Sequence, residues 1–171
     1  MPLLPAGNCQ LQTPFDHPFD QITPAYQVKA AFIYNFSQFV DWPPSAFDGN
    51  QSPFVIGILG ENPFGNYLEE LVKDEMAGTR NIVIKKYRDV DDVRNCNILY
   101  INIPNAAEAV RALHNKSILT VSDADNFARD GGMVRFVTQS NKIKLQINPA
   151  AARAVNISIS SKLLRVADIV E

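Results

Sequence analysis

The sequence of 171 residues has few of the side chains that build metal centres or disulfide frameworks. It contains two cysteines and two histidines, and neither His17 nor His114 belongs to a Cys or carboxylate cluster at metal-ligand spacing. A strong charge of one sign is also lacking, because 16 basic residues against 18 acidic ones leave a net charge of −2. We therefore expect no cofactor and no metal. The basic surface that nucleic acid or anionic lipid would require is not predicted either.

No apolar run approaches the ~20 residues of a membrane-spanning helix. The chain is 46% hydrophobic and 20% charged, which is typical of one globular domain with a packed core. Residues 1–25 hold several prolines and little apolar periodicity, so we expect a flexible arm there and a single domain over residues 26–171. No secretory signal is visible at the start, which leaves open a cytoplasmic protein or a mature form whose signal has been removed.

Apolar spacing predicts an opening helix over Tyr26–Val40, with Lys29 among the polar residues between its apolar ones. The apolar residues expected on its core face are Val28, Ala31, Phe32, Phe36, Phe39 and Val40. The aromatic stripe of this helix fits core packing, with a dimer seam as the alternative. Short apolar runs then alternate with helical segments, which predicts an α/β three-layer sandwich with a mainly parallel sheet. The strands are expected at 54–60, 82–87, 97–101 and 118–121.

The last third predicts a β-hairpin from strands at 133–138 and 142–148, and a short strand at 156–159. A closing helix is expected over Ser160–Ile169, with Ser160 as its N-cap. On that helix Lys162 and Arg165 are three residues apart and share an outward face, and Arg153 lies shortly before it. These cations are either a solvated surface or a docking surface for an acidic partner.

Catalytic motifs are not found. The glycines at 57, 60 and 65 fit neither a dinucleotide fingerprint nor a P-loop. Asp123 and Asp125 follow the fourth predicted strand, at the sheet edge where open α/β sheets bind ligands. Capping of the next turn, a small-molecule site and a hydrolytic carboxylate pair are the three interpretations of these aspartates.

The cysteines allow two interpretations. Cys96 opens an apolar run, which fits a buried and inert thiol. A Cys9–Cys96 disulfide is the alternative, since pairing cannot be deduced from sequence.

Several segments, in order along the chain, resemble the YfiR-like family. The resemblance runs from about Tyr26 to Val170. Its motifs are Lys29–Phe36, Phe39–Pro43, Phe54–Gly60, Cys96–Tyr100, Leu119–Asp123, Gly131–Met133 and Ile159–Ala167.

The resemblance implies a periplasmic, non-enzymatic repressor that binds the periplasmic domain of an inner-membrane diguanylate cyclase and lowers cyclic-di-GMP and biofilm formation. It also implies an outer-membrane lipoprotein as a second partner, and a homodimer. A sensor that binds a small molecule and acts on another signalling partner is the alternative. Cys96 occupies a family cysteine position, but residues 26–171 offer it no second cysteine. Arg153, Lys162, Arg165 and an apolar patch with Phe127 are the expected partner-binding residues.

Overall fold

A computed structural model describes residues 22–171 of the chain. Most of the predicted arm, including Cys9 and His17, lies outside the described residues. The first helix, α1, spans Pro24–Phe39 and so begins before the predicted Tyr26. Thr23 caps it, because its Oγ1 accepts a hydrogen bond from the Tyr26 amide at 3.4 Å, and Pro24 suits the first turn.

The strands and the other helices have the following bounds. The strands are β1 (Val40–Asp41), β2 (Phe54–Gly60), β3 (Met76–Ala77), β4 (Arg80–Tyr87), β5 (Ile98–Asn102), β6 (Leu119–Ser122), β7 (Val134–Gln139), β8 (Lys142–Ile147), β9 (Ser158–Ile159) and β10 (Ala167–Ile169). The helices are α2 (Tyr67–Val72), α3 (Ala106–Ala112), α4 (Pro149–Arg153) and α5 (Ser161–Leu164), with 3₁₀ turns at Pro44–Ala46 and Val90–Asp92.

The main sheet has eight strands in the order β10-β8-β7-β6-β5-β2-β4-β3. Neighbouring strands from β4 across to β7 run parallel, and so do β8 and β10. The two antiparallel contacts in this sheet are the β7–β8 hairpin and the β3–β4 pair. β1 and β9 form a separate antiparallel pair. The predicted mainly parallel sheet with a C-terminal hairpin is confirmed.

Both faces of the sheet are covered, which explains why β2 has no polar alternation. Phe54, Ile56 and Ile58 point into a core that includes residues of α1. Val55 and Leu59 point into a second core that includes residues of α3. The chain is thus a three-layer α/β sandwich, as the sequence predicts.

The face that α1 buries differs from the prediction. Phe36 is buried, as predicted, but Lys29 and Ile33 are buried with it, whereas Val28 is 45% exposed and Phe39 is 39% exposed. The helix is apolar around much of its circumference, so residue spacing alone does not fix the inner face. The ion pair between Lys29 and Asp123, which joins Nζ to Oδ2 at 2.8 Å, allows a lysine to face inward.

The predicted closing helix over Ser160–Ile169 is wrong beyond its first turn. Ser160 does cap a helix, since its Oγ accepts from the Lys162 amide at 3.1 Å, but α5 ends at Leu164. Ala167–Ile169 then pairs in parallel with Leu145–Ile147 of β8. This pairing supplies backbone hydrogen bonds from β8. Because β8 is distant in the sequence, the pattern of residues within this segment does not predict them. Val166, which lies between α5 and β10, is 70% exposed.

Candidate partner-binding surface

Two of the three predicted cations lie on short capped helices, and the third directly follows one of these helices. Asn148 Oδ1 accepts from the Ala151 amide at 3.1 Å and starts α4, which ends at Arg153. Ser160 starts α5, which carries Lys162 and is followed directly by Arg165. The three cationic side chains are exposed.

The charges of these residues are directed to solvent. Within residues 22–171, the salt bridges join Lys29 to Asp123, Lys86 to Glu69 and Arg135 to Asp125, and none uses Arg153, Lys162 or Arg165. The Arg165 Nε is 3.5 Å from the carbonyl oxygen of Ser161, a long contact that leaves most of the guanidinium available.

Two grooves lie beside these cations, with α5 contributing to the first and the residues after it to the second. Arg153 lines a groove of about 470 Å³ together with Ile159 and Leu164. Arg165 lines a second groove, of about 490 Å³, together with Phe32 and Val166. Arg153 thus shares a groove with Leu164 of α5, while Arg165 lines a separate groove beside apolar side chains.

Phe127 does not belong to this surface. It is 2% exposed and packs in the core that includes α3. Its ring lies so close to Gly132 that a Cβ at position 132 would approach a ring carbon to 2.2 Å. The prediction of an apolar binding patch that includes Phe127 is therefore wrong, because this ring has almost no accessible area for contact with a partner.

A second polar cluster lies where β5 and β6 meet α1. Asp123 Oδ2 accepts hydrogen bonds from Lys29 Nζ and from the Tyr100 hydroxyl, each at 2.8 Å, and the Tyr26 hydroxyl lies 3.5 Å from it. Burial, with the adjacent Asp123 carboxylate as the next cause, raises the pKa of Tyr100 far above its ordinary value. Tyr100 therefore stays protonated and donates to Asp123. The cluster joins the first turns of α1 to the sheet.

The two aspartates of this region serve separate ion pairs. Asp125 is 95% exposed and contacts Arg135, whose Nη2 lies 3.0 Å from Oδ1. Asp123 is held by Lys29 and Tyr100 instead. This arrangement suits structural ion pairs, because each carboxylate contacts its own cation. Sequence analysis placed Lys29 among the polar residues of a helical pattern. That pattern does not indicate that the lysine is buried against Asp123.

Cys96 is buried, as expected, and is a free thiol among the described residues. Its Sγ donates to the carbonyl oxygen of Ile98 at 3.0 Å, and burial raises the pKa of the thiol to about 12. The alternative pairing with Cys9 stays a prediction, since Cys9 lies outside the described residues. A thiol with so high a pKa carries little thiolate at neutral pH and reacts slowly.

Other ligand chemistry is sparse in the described part of the chain. Residues 22–171 contain no group of three His, Cys, Asp or Glu side chains placed to hold a metal ion. Across the same residues, no helix combines the length and apolar character needed to span a bilayer.

The chain is therefore an α/β protein with exposed cationic side chains on and near α5. The model of the YfiR/HmsC-like family matches residues 26–168, and the chain belongs to this family. No curated protein sequence matches the chain.

Proposed function

We propose that this protein is a periplasmic regulator that binds the periplasmic domain of an inner-membrane diguanylate cyclase and represses it. Its action lowers cyclic-di-GMP and biofilm formation. Membership of the YfiR/HmsC-like family over residues 26–168 carries the proposal. The exposed cations around α5 supply the contact surface.

The surface chemistry supports a charged partner. Arg153, Lys162 and Arg165 are exposed and take part in no salt bridge within residues 22–171. Arginine and lysine on a surface steer acidic partners and fix the orientation of docking. An acidic patch on the cyclase would therefore face the α5 region.

Repression of this kind needs no chemical step. The cyclase exchanges between inactive and active arrangements, and a regulator that binds the inactive one more tightly shifts the population toward it. A shift from mostly active to mostly inactive requires about 10⁴-fold preferential binding. Release of the regulator then restores synthesis of cyclic-di-GMP. An outer-membrane lipoprotein that binds the regulator would compete with the cyclase, and a homodimer would double the contact surface.

The test joins a physical and a cellular measurement. The chain, exported to the periplasm of its host bacterium, serves as bait in a pull-down from detergent-solubilised inner membrane. We expect recovery of a membrane protein with a cyclase domain, and a fall in cellular cyclic-di-GMP when the chain is overproduced. If no cyclase is recovered from membranes shown to contain one, and cyclic-di-GMP does not change, the proposal is wrong.

Charge reversal tests the surface. Arg153→Glu and Arg165→Glu should each weaken binding to the recovered cyclase domain by about 2 kcal/mol if the arginine is an anchor. Arg111→Glu is the matched control, because Arg111 lies on α3, which packs on the opposite face of the sheet. Unchanged affinity for both arginine variants would show that the partner binds elsewhere.

A further inference from the structure

An apolar stripe runs along the solvent side of α1. Val28 and Phe39 are 45% and 39% exposed, and Phe32 lies between them, half-buried. These residues stand four and seven positions apart, which places them on one side of a helix. Exposed apolar side chains that lie next to one another on a protein surface mark contact sites.

The stripe borders a groove at the last strand of the sheet. The α1–β10 groove has a volume of about 490 Å³, and its apolar lining comes from Phe32, Ile143, Leu145, Val166 and Ala167. Val166 is 70% exposed at its rim, and Ile169 of β10 is 48% exposed. Large apolar side chains therefore gather on this side of the molecule.

The groove also exposes an edge of β8 that pairs with no strand in the described part of the chain. β8 spans Lys142–Ile147, but β10 pairs with it only along Leu145–Ile147. On this side, no strand within residues 22–171 pairs with Lys142–Lys144. An extended chain placed there would continue the sheet in line with β10 and put its side chains against Phe32 and Val166.

The charges at the groove favour an acidic occupant. Lys144 and Arg165 line it, against the single carboxylate of Asp168. Lys162 adds a further positive charge on α5. A second copy of the chain bound here about a two-fold axis would bring this surplus of positive charge against itself. A partner segment that carries carboxylates would compensate it.

We infer that the α1–β10 groove binds an extended, apolar segment of the regulated membrane protein that is flanked by acidic residues. The segment adds to the free edge of β8, places apolar side chains against Phe32 and Val166, and directs carboxylates to Arg165 and Lys144. This inference rests on the proposed function and assigns the contact to one groove.

The experiment places a photocrosslinking residue, p-benzoylphenylalanine, at position 166 of the full chain in the host periplasm. Val166 is 70% exposed, so the replacement should not disturb folding. Position 76 is the matched control, because Met76 is also exposed, at 45%, but lies on β3 at the opposite edge of the sheet. We expect a covalent adduct with a membrane cyclase at position 166 and none at position 76.

Affinity measurements complete the test. Val166→Glu and Arg165→Glu should each weaken binding of the crosslinked cyclase's periplasmic domain by about tenfold or more, while Met76→Glu leaves it unchanged. If the pull-down recovers a cyclase that forms no adduct at position 166, the groove assignment fails and the proposed function stands. An adduct with a second copy of the chain would overturn the inference and assign the groove to a homodimer. If neither route yields a cyclase, the proposed function fails, and this inference with it.

Discussion

Removing Asp123 should destabilise the protein more than removing Lys29, although the two side chains form one salt bridge. The Lys29 side chain is 8% exposed and that of Asp123 is 31% exposed. Asp123→Ala leaves a buried ammonium group whose remaining neighbours are the rings of Tyr26 and Phe136, at 4.4 and 6.0 Å from their centroids. It also removes the acceptor of the Tyr100 hydroxyl. Loss of one partner from a buried pair costs about 3–5 kcal/mol.

Lys29→Met should lower the free energy of unfolding by less than Asp123→Ala does. The Asp123 carboxylate keeps the hydrogen bond from Tyr100 at 2.8 Å and the contact with Tyr26 at 3.5 Å, and the side chain as a whole is 31% exposed. The methionine fills the volume of the lysine stem. We therefore expect a loss of about 1–2 kcal/mol in the free energy of unfolding.

The double variant decides between this reasoning and a simple loss of contacts. Lys29→Met combined with Asp123→Ala contains no buried charge, so it should be more stable than Asp123→Ala alone by about 1 kcal/mol or more. Urea denaturation at 25 °C, with the m-value checked for constancy, measures the four free energies of unfolding. Additive costs, or an Asp123→Ala variant that loses under about 1 kcal/mol, would refute the argument.

A surface pair provides the control. Lys86 Nζ and Glu69 Oε1 are 2.9 Å apart, nearly the same distance, but their side chains are 53% and 44% exposed. Glu69→Ala should cost under about 1 kcal/mol, since water solvates the lysine that remains. A similar loss for Glu69→Ala and Asp123→Ala would show that burial does not determine the cost.

Two further predictions concern the buried thiol. Because the pKa of Cys96 is raised to about 12, iodoacetamide at pH 8 should modify it in the folded protein far more slowly than in urea, as mass spectrometry would show; equal rates would contradict the burial. A Cβ at Gly57 would lie 2.9 Å from Cys96 Sγ, near the ~3 Å between one Cβ and the opposite sulfur of a disulfide, so Gly57→Cys should form a bridge on oxidation. Since Tyr87 Cε2 would lie only 2.7 Å from that Cβ, the ring must turn. The oxidised variant should then exceed its reduced form in stability by about 2–4 kcal/mol, with Gly57→Ser as the redox-insensitive control. Equal urea midpoints for the two forms would contradict it.

The sequence predicted the parallel sheet well because its strands carry a signal of their own. β2 and β5 are short apolar runs bounded by polar or glycine-containing segments, and burial on both faces produces that pattern without help from distant residues. The hairpin was also predictable. Ser140 and Asn141 both have positive φ, at 52° and 64°, which is the conformation of a two-residue turn that matches the twist of the flanking strands.

The errors occur where a long-range contact decides the structure. Spacing could not choose the inner face of α1, because the helix is apolar around much of its circumference and the partner of its buried lysine lies 94 positions away in the sequence. The same holds for β10, whose pairing partner β8 is separated from it by α4, β9 and α5. Phe127 was predicted to lie on the surface, because the residues next to it in the sequence do not indicate that its ring packs in the core that includes α3. Local sequence patterns contain none of these contacts.

The two errors in α1 and β10 bear directly on function. If α1 buried Val28 and Phe39, and if Val166 lay on the inner face of a closing helix, these three side chains would be core residues. Instead, α1 turns Lys29 inward and leaves Val28 and Phe39 exposed, and Val166 is exposed where α5 has ended and β10 begins. The Lys29–Asp123 ion pair therefore helps to present the apolar stripe, although it lies on the inner side of the helix. Variants that break this pair should alter partner binding through the orientation of α1, without touching the groove itself.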